Sequence, residues 1–255
     1  MSADDYFQNI LNDQAVDTRA YSPVRGVQDM IQPVIAQLAG MFLHGIWPSG
    51  SFMKGTANRS GTDIDLFISL SEKTPATLKE IYESLFTRMK EAGYNPRRQN
   101  VSINVTANGY SVDLVPGKQQ GVYSADHSIY RGRANTWTKT NVAMHVTHVR
   151  QHGRLNESRI LKLWRDQKRI DFPSFYLELT VIDALHRSFL FPETLSGNVL
   201  KVLEYLRDTF SDARVVDPAN TNNIISDDLT ASEKAKIKAA ATAARNAKSW
   251  NEIVT

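Results

Sequence analysis

The hydrophobic period of this chain changes near residue 138, and that change restricts the architectures open to it. Ahead of it, runs of period two are interleaved with runs of helical spacing; from Lys139 onward the pattern is almost entirely helical. This order predicts an α/β (α+β) chain with a mixed β-sheet first and a helical lobe second, divided as 1–138 and 139–255. With 255 residues there is enough chain for one large core or two lobes.

Helices are expected over 3–14 and 27–43, the second carrying Val27, Met30, Ile31, Val34, Ile35, Leu38 and Met41 at helical spacing. A Trp-Pro-Ser-Gly turn follows at Trp47 to Gly50. Thr62 to Leu70 alternates, with Asp63, Asp65, Phe67 and Ser69 on one face and Ile64, Leu66, Ile68 and Leu70 on the other. Ser71 to Gly93 reads as helix, and two alternating runs at 96–106 and 110–115 meet at Asn108-Gly109, a hairpin signal. Short strands or loops fill 118–136. Five further helices are expected at 140–151, 155–169, 173–188, 195–210 and 229–248, the last after a polar loop.

The chain contains no cysteine, which excludes disulfides, thiolate zinc sites, iron–sulfur clusters and a cysteine nucleophile. Thirty basic residues against 27 acidic ones give a net charge of only +3, so the distribution of charge matters more than its sum. The segment Arg150 to Arg169 is the basic one, with Arg150, Arg154, Arg159, Lys162, Arg165, Lys168 and Arg169 against Glu157 and Asp166. No apolar run approaches the ~20 residues of a membrane span, and the acidic, polar start is unlike an export signal. The expectation is a cytoplasmic protein without membrane contact.

Chemistry concentrates between Gly50 and Asp65. On a strand, side chains two residues apart share a face, which puts Asp63 and Asp65 about 6–7 Å apart at the backbone. An Asp-x-Asp alone is most often a solvated edge strand, and Gly-Ser alone is usually a turn. Here they occur together, and a third acid, Asp113, lies between Val112 and Leu114 on a later strand. Three carboxylates on neighbouring strands suit hard divalent cations such as Mg2+, which take oxygen ligands supplemented by substrate phosphates.

Gly50-Ser51, Asp63-Ile-Asp65 twelve residues after Ser51, and Val112-Asp113-Leu-Val-Pro116 resemble the nucleotidyltransferase superfamily that includes DNA polymerase beta. The segments Thr138 to His145, Asn156 to Trp164 and Pro173 to Leu179 narrow the resemblance. They look like the branch of oligoadenylate synthetases, cyclic GMP–AMP synthase, bacterial CD-NTases and archaeal-type CCA-adding enzymes. The loop Asp217 to Asn223 fits the same branch, although Asn141-Val142 stands where many members have Asn-Pro.

The resemblance implies a polymerase-beta-like nucleotidyltransferase core whose nucleotide cleft is completed by the helical lobe. Asp63, Asp65 and Asp113 would be catalytic and hold two Mg2+ ions, with Mn2+ as the alternative. Gly50, Ser51, Lys162, Ser174 and Tyr176 would bind the nucleotide, Lys162 through the β- and γ-phosphates. The activity implied is template-independent synthesis of a cyclic or linear oligonucleotide signal from NTPs or dNTPs, with release of pyrophosphate, in bacterial antiphage defence. The partners implied are nucleoside triphosphates and a downstream effector protein that receives the product. Nucleotide transfer to an RNA 3′ end or to a protein or drug hydroxyl is the alternative, as is a catalytically silent nucleic-acid sensor. The basic segment reads either as a nucleic-acid track or as the phosphate side of the pocket, the latter needing fewer charges.

His145, His148 and His152 fall at i, i+3 and i+7 of one helix, a spacing open to zinc, although a solvent-facing or capping role is the simpler reading. Tyr123, Tyr130 and Trp137 are candidates for stacking on a base, or else core aromatics.

Overall fold

The computed structural model describes residues 2–17, 19, 22–61, 63–186 and 194–255. The chain forms two compact units, neither continuous in sequence: a sheet unit of residues 17–54 and 62–146, and a helical unit of residues 1–16, 55–61 and 147–255. The division differs from the linear one expected at 138. The first helix, α1 (Ala3–Asp13), was expected with the sheet but belongs to the helical unit. Its buried Phe7 and Leu11 join that unit's core, and the Tyr6 hydroxyl donates to the Val254 carbonyl at 2.9 Å.

The sheet unit contains α2 (Pro23–Ala39), β1 (Leu43–Pro48), α3 (Gly50–Lys54), β2 (Ile64–Leu70) and α4 (Leu78–Glu91). These are followed by β3 (Arg97–Arg98), β4 (Ile103–Ala107), β5 (Tyr110–Gln119), β6 (His127–Arg131) and β7 (Thr136–Thr140). The seven strands form one mixed sheet in the order β1-β2-β5-β4-β3, with β6 on the far half of β5 and β7 beside β6. Among the described residues only β2 and β5 run parallel.

One face is apolar by register: Ile64 pairs with Val112, Leu66 with Leu114, and Leu114 in turn with Ile103, all fully buried. The helices α2 and α4 cover it with Val27, Ile31, Ile35, Ile81, Leu85 and Met89. Asn108 and Gly109 have φ of +50° and +79°, the double left-handed turn that an Asn-Gly hairpin adopts.

Two differences from expectation have local causes. The helix expected at 27–43 starts earlier, with Pro23 in its first turn, and ends at Ala39 because Gly40 turns with φ +53°. The strand β1 was hidden by the Trp47-Pro48 pair, which reads as a turn; β1 pairs only with β2, and an edge strand tolerates proline. Thr62 of the expected strand and residues 187–188 of the expected helix 173–188 lie outside the described residues.

The helical unit holds α6 (Leu155–Gln167), α7 (Ser174–His186), α8 (Leu195–Asp208), α9 (Ala231–Arg245) and the short α10 (Trp250–Ile253), while α5 (Val142–Gln151) runs from one unit into the other. Its core gathers Trp164, Tyr176, Leu203, Phe210 and Ile237. The polar loop after α8 contains a small hairpin of β8 (Val216–Asp217) and β9 (Asn220–Ile224). Among the described residues no helix is long and apolar enough to cross a membrane.

Within the sheet unit, Phe67 is buried edge-on against the His127 ring with centroids 4.9 Å apart. His127 Nδ1 lies 3.0 Å from the Ala125 carbonyl, which only accepts, so Nδ1 carries the proton and Nε2 accepts from Ser69 Oγ at 2.8 Å. These contacts suit the neutral ring, which burial favours. Burial, aided by nearby His44, pushes its pKa down against the opposing Ala125 bond and Asp126 charge. As pH falls below the ordinary histidine value of 6.5, the unfolded chain takes up this proton before the folded one does, so stability declines through this group on the acid side of that value. His127→Gln should flatten that part of the stability curve in urea titrations; an unchanged slope would show that His127 is not the group responsible.

Candidate active site

The three aspartates stand on the face of the sheet opposite α2 and α4. Asp65 and Asp113 are register partners on the parallel pair β2 and β5, so their side chains project side by side from strands about 5 Å apart. Asp63 lies just before β2 and is exposed. Its charge reaches Asp113, whose carboxyl is pushed up chiefly by burial and further by Asp63, against hydrogen bonds from Asn104 and Ser102 that favour the ionised form. The structure thus brings together the three acids that the sequence singled out.

Among the described residues, no group of three or more His, Asp or Glu is arranged to hold a metal ion. The donor set nonetheless fits a hard cation: it consists of carboxylate oxygens, two of the three residues standing in register.

The turn before α3 is tied to the same strand. Ser49 N–H donates to the Asp65 carbonyl at 2.8 Å, and Gly50 follows with φ +54°. A Cβ on Gly50 would lie 1.7 Å from Asp65 Oδ2, so only glycine lets the chain pass over this carboxylate. Ser51, the next residue, is half-buried on α3.

The residues expected from the helical lobe are placed differently. Lys162 is buried, ion-paired to the fully buried Glu178, and donates to Thr56 Oγ1 at 2.9 Å and to the Thr56 carbonyl at 3.3 Å. Tyr176 has no exposed surface; it packs against Phe172 and Phe210, and burial, with Asp228 and Asp227 nearby, pushes its phenol up to about 12. The Tyr176 side chain, expected at the nucleotide, thus lies enclosed in the core of its unit. Ser174 opens α7, is half-buried, and accepts from Arg165 Nη1 at 2.9 Å while keeping its own O–H as a donor.

The basic segment is largely spent inside its own unit. Arg154 faces Glu157, Arg159 holds Asn58 and the Leu11 carbonyl, Arg165 pairs with Asp166, and Lys168 donates to the Glu252 carbonyl. His148 and His152 stack 4.5 Å apart, and His152 Nδ1 bonds the His148 carbonyl at 2.7 Å, so the zinc reading finds no ligand set among the described residues. Tyr130 is buried against Tyr82, whereas Trp137 and Tyr123 are exposed, Tyr123 entirely.

Sequence reading missed Asn104, buried on β4, and Arg97 on β3. A usable signal existed. A two-residue Asn108-Gly109 turn pairs Ala107 with Tyr110 and therefore Asn104 with Asp113.

Removing one partner of a buried ion pair strands the other charge, at about 3–5 kcal/mol. Lys162→Met and Glu178→Leu should each destabilise the protein by about that much in chemical denaturation. The double variant should be the milder one, and if both single variants unfold like the parent, the pair carries no such load.

A search of protein-family models finds none that matches. A cyclic AMP-AMP-AMP synthase of Escherichia coli (strain MS 115-1) is 24% identical over 193 residues, 67% of this chain and 60% of that protein. The chain therefore spans under two thirds of that relative's length. The ATP-bound CdnC of E. coli MS115-1 superposes with TM-score 0.73 at 20% identity, over 95% of this chain and 90% of that one. The Bradyrhizobium diazoefficiens CD-NTase CdnG in complex with GTP gives TM-score 0.78 at 11% identity, over 96% and 91%. With its mixed sheet, its acids on β2 and β5 and its helical unit, the chain shares the fold of these two CD-NTase structures.

Proposed function

We propose that this protein is a template-independent, metal-dependent nucleotidyltransferase that joins nucleoside triphosphates, ribo or deoxyribo, into a cyclic or linear oligonucleotide and releases pyrophosphate. The observation that carries this reading is the register of Asp65 with Asp113 on the parallel strand pair, beside a glycine that fits only because it has no side chain. The similarity to a protein named cyclic AMP-AMP-AMP synthase supports the oligonucleotide product. A signalling role in antiphage defence, with the product received by an effector protein, belongs to the same reading.

Asp63, Asp65 and Asp113 are the residues proposed to hold two Mg2+ ions. The chemistry such cations supply when bound is a lowered pKa for the attacking hydroxyl and neutralisation of charge on the leaving pyrophosphate. A sugar hydroxyl of one nucleotide forms the new bond to the α-phosphorus of the next as the bond to the β-phosphate breaks. Asp113 is assigned to take the proton of that hydroxyl. Gly50 and Ser51 are assigned to the triphosphate through backbone N–H groups and a hydroxyl.

Purified protein incubated with all NTPs and dNTPs and Mg2+, with products read by mass spectrometry, tests the reading. Oligonucleotide and pyrophosphate should form without an acceptor, and disappear on chelation. Asp65→Asn and Asp113→Asn should each lower the rate by at least about a thousandfold while the variants stay folded. Product forming only when RNA or a protein is supplied would point to transfer onto that acceptor instead. Persistence of a cellular phenotype in Asp63→Asn/Asp65→Asn would point to a silent nucleic-acid sensor.

A further inference from the structure

The strand register lines up more than the two acids. Asp65 pairs with Asp113, Asp113 with Asn104, and Asn104 with Arg97, so one row of side chains crosses β2, β5, β4 and β3 on the carboxylate-bearing face. Along it the chemistry runs from carboxylate to carboxylate to amide to guanidinium.

Asn104 is 4% exposed and its hydrogen bonds fix which way the amide points. Arg97 Nη2 donates to Asn104 Oδ1 at 3.2 Å, while Asn104 Nδ2 donates to Asp113 Oδ1 at 2.8 Å and to Ser111 Oγ at 2.9 Å. Both amide protons and the carbonyl oxygen are therefore used. A flipped amide would set NH2 against the guanidinium and oxygen against the carboxylate, and both contacts would repel. The guanidinium thus selects the amide orientation in which a donor faces Asp113.

We propose that Asn104 is a positioning residue for Asp113, and that Arg97 acts through it: Arg97 sets the amide, and the amide, beside Ser102, holds the Asp113 carboxylate in the orientation it presents to a divalent cation. Groups one shell out from a metal ligand commonly change metal affinity or activity by about 10–100-fold when removed. The assignment rests on the nucleotidyltransferase reading, and on contacts lying wholly within the sheet unit.

The test pairs kinetics with a measurement that needs no turnover. In Asn104→Ala and Asn104→Asp, kcat should fall at least about tenfold with the KM for nucleotide changed less than about threefold. Asp at this position cannot donate and repels Asp113, so it should be no better than Ala. Mn2+ alone, titrated into the folded protein and followed by the EPR signal of the free ion, should bind at least about tenfold more weakly to both variants, for the site defined by its loss in Asp113→Asn. Arg97→Ala should show a smaller fall in the same direction and Arg97→Lys should recover most of it. In an Asn104→Ala background Arg97→Ala should add nothing, because the relay is already cut.

Parent-like kcat and Mn2+ affinity in Asn104→Ala would overturn the assignment, as would a loss of melting temperature alone. Additive effects of the two substitutions would overturn the relay and make Arg97 an independent contact. If the parent protein shows no turnover that depends on Asp65, the proposed activity fails, while the Mn2+ titration still decides the role of Asn104.

Discussion

Two carboxylates set directly opposite each other on adjacent strands repel, and the sheet unit is built so that they stay there. On the reverse face, Leu66 and Leu114, neighbours of Asp65 and Asp113 in sequence, are fully buried beneath α2 and α4. A slip of one residue in β2 or β5 would relieve the repulsion but would turn every one of those apolar side chains toward water. Hydrophobic burial of that size, about 1.5–3 kcal/mol for each large side chain, outweighs a partly screened charge pair. The acids are thus held in an unfavourable arrangement by the opposite side of the same strands, the local conflict expected where a fold keeps a functional site.

The helical unit uses charge in the reverse way. Helix α6 turns Lys162 and Arg159 inward, onto Glu178, Thr56, Asn58 and the Leu11 carbonyl. Such long cationic side chains are tolerated there because each finds acceptors for its protons. Their targets Thr56 and Asn58 are buried, so the charge serves to fix the short segment 55–61 within its unit.

Most of the elements were legible because their periods are strong. The strand at 64–70, the Asn-Gly hairpin and the five helices after residue 139 each carry an unbroken apolar repeat or a turn residue with one geometric use. The acids at 63, 65 and 113 were legible for the same reason, as polar positions inside apolar runs. What escaped was whatever depends on contacts far along the chain. Tyr176 and Lys162 sit in a motif that suggests a ligand, yet their burial is decided by Phe210 and by Glu178 with Thr56, which no local pattern announces. Residues 55–61 and α1 likewise read as parts of the first unit, because a linear sequence gives no sign of a chain that leaves one core and returns to it.

That path has a practical side for anyone cutting the gene. Because residues 1–16, 55–61 and 147–255 share one core, no stop codon or new start yields the helical half intact, and a fragment ending near 146 would carry Phe7, Leu11 and Thr56 with their buried neighbours gone. Engineering of either half has to begin from a rewired chain order, joining pieces that the ribosome makes far apart.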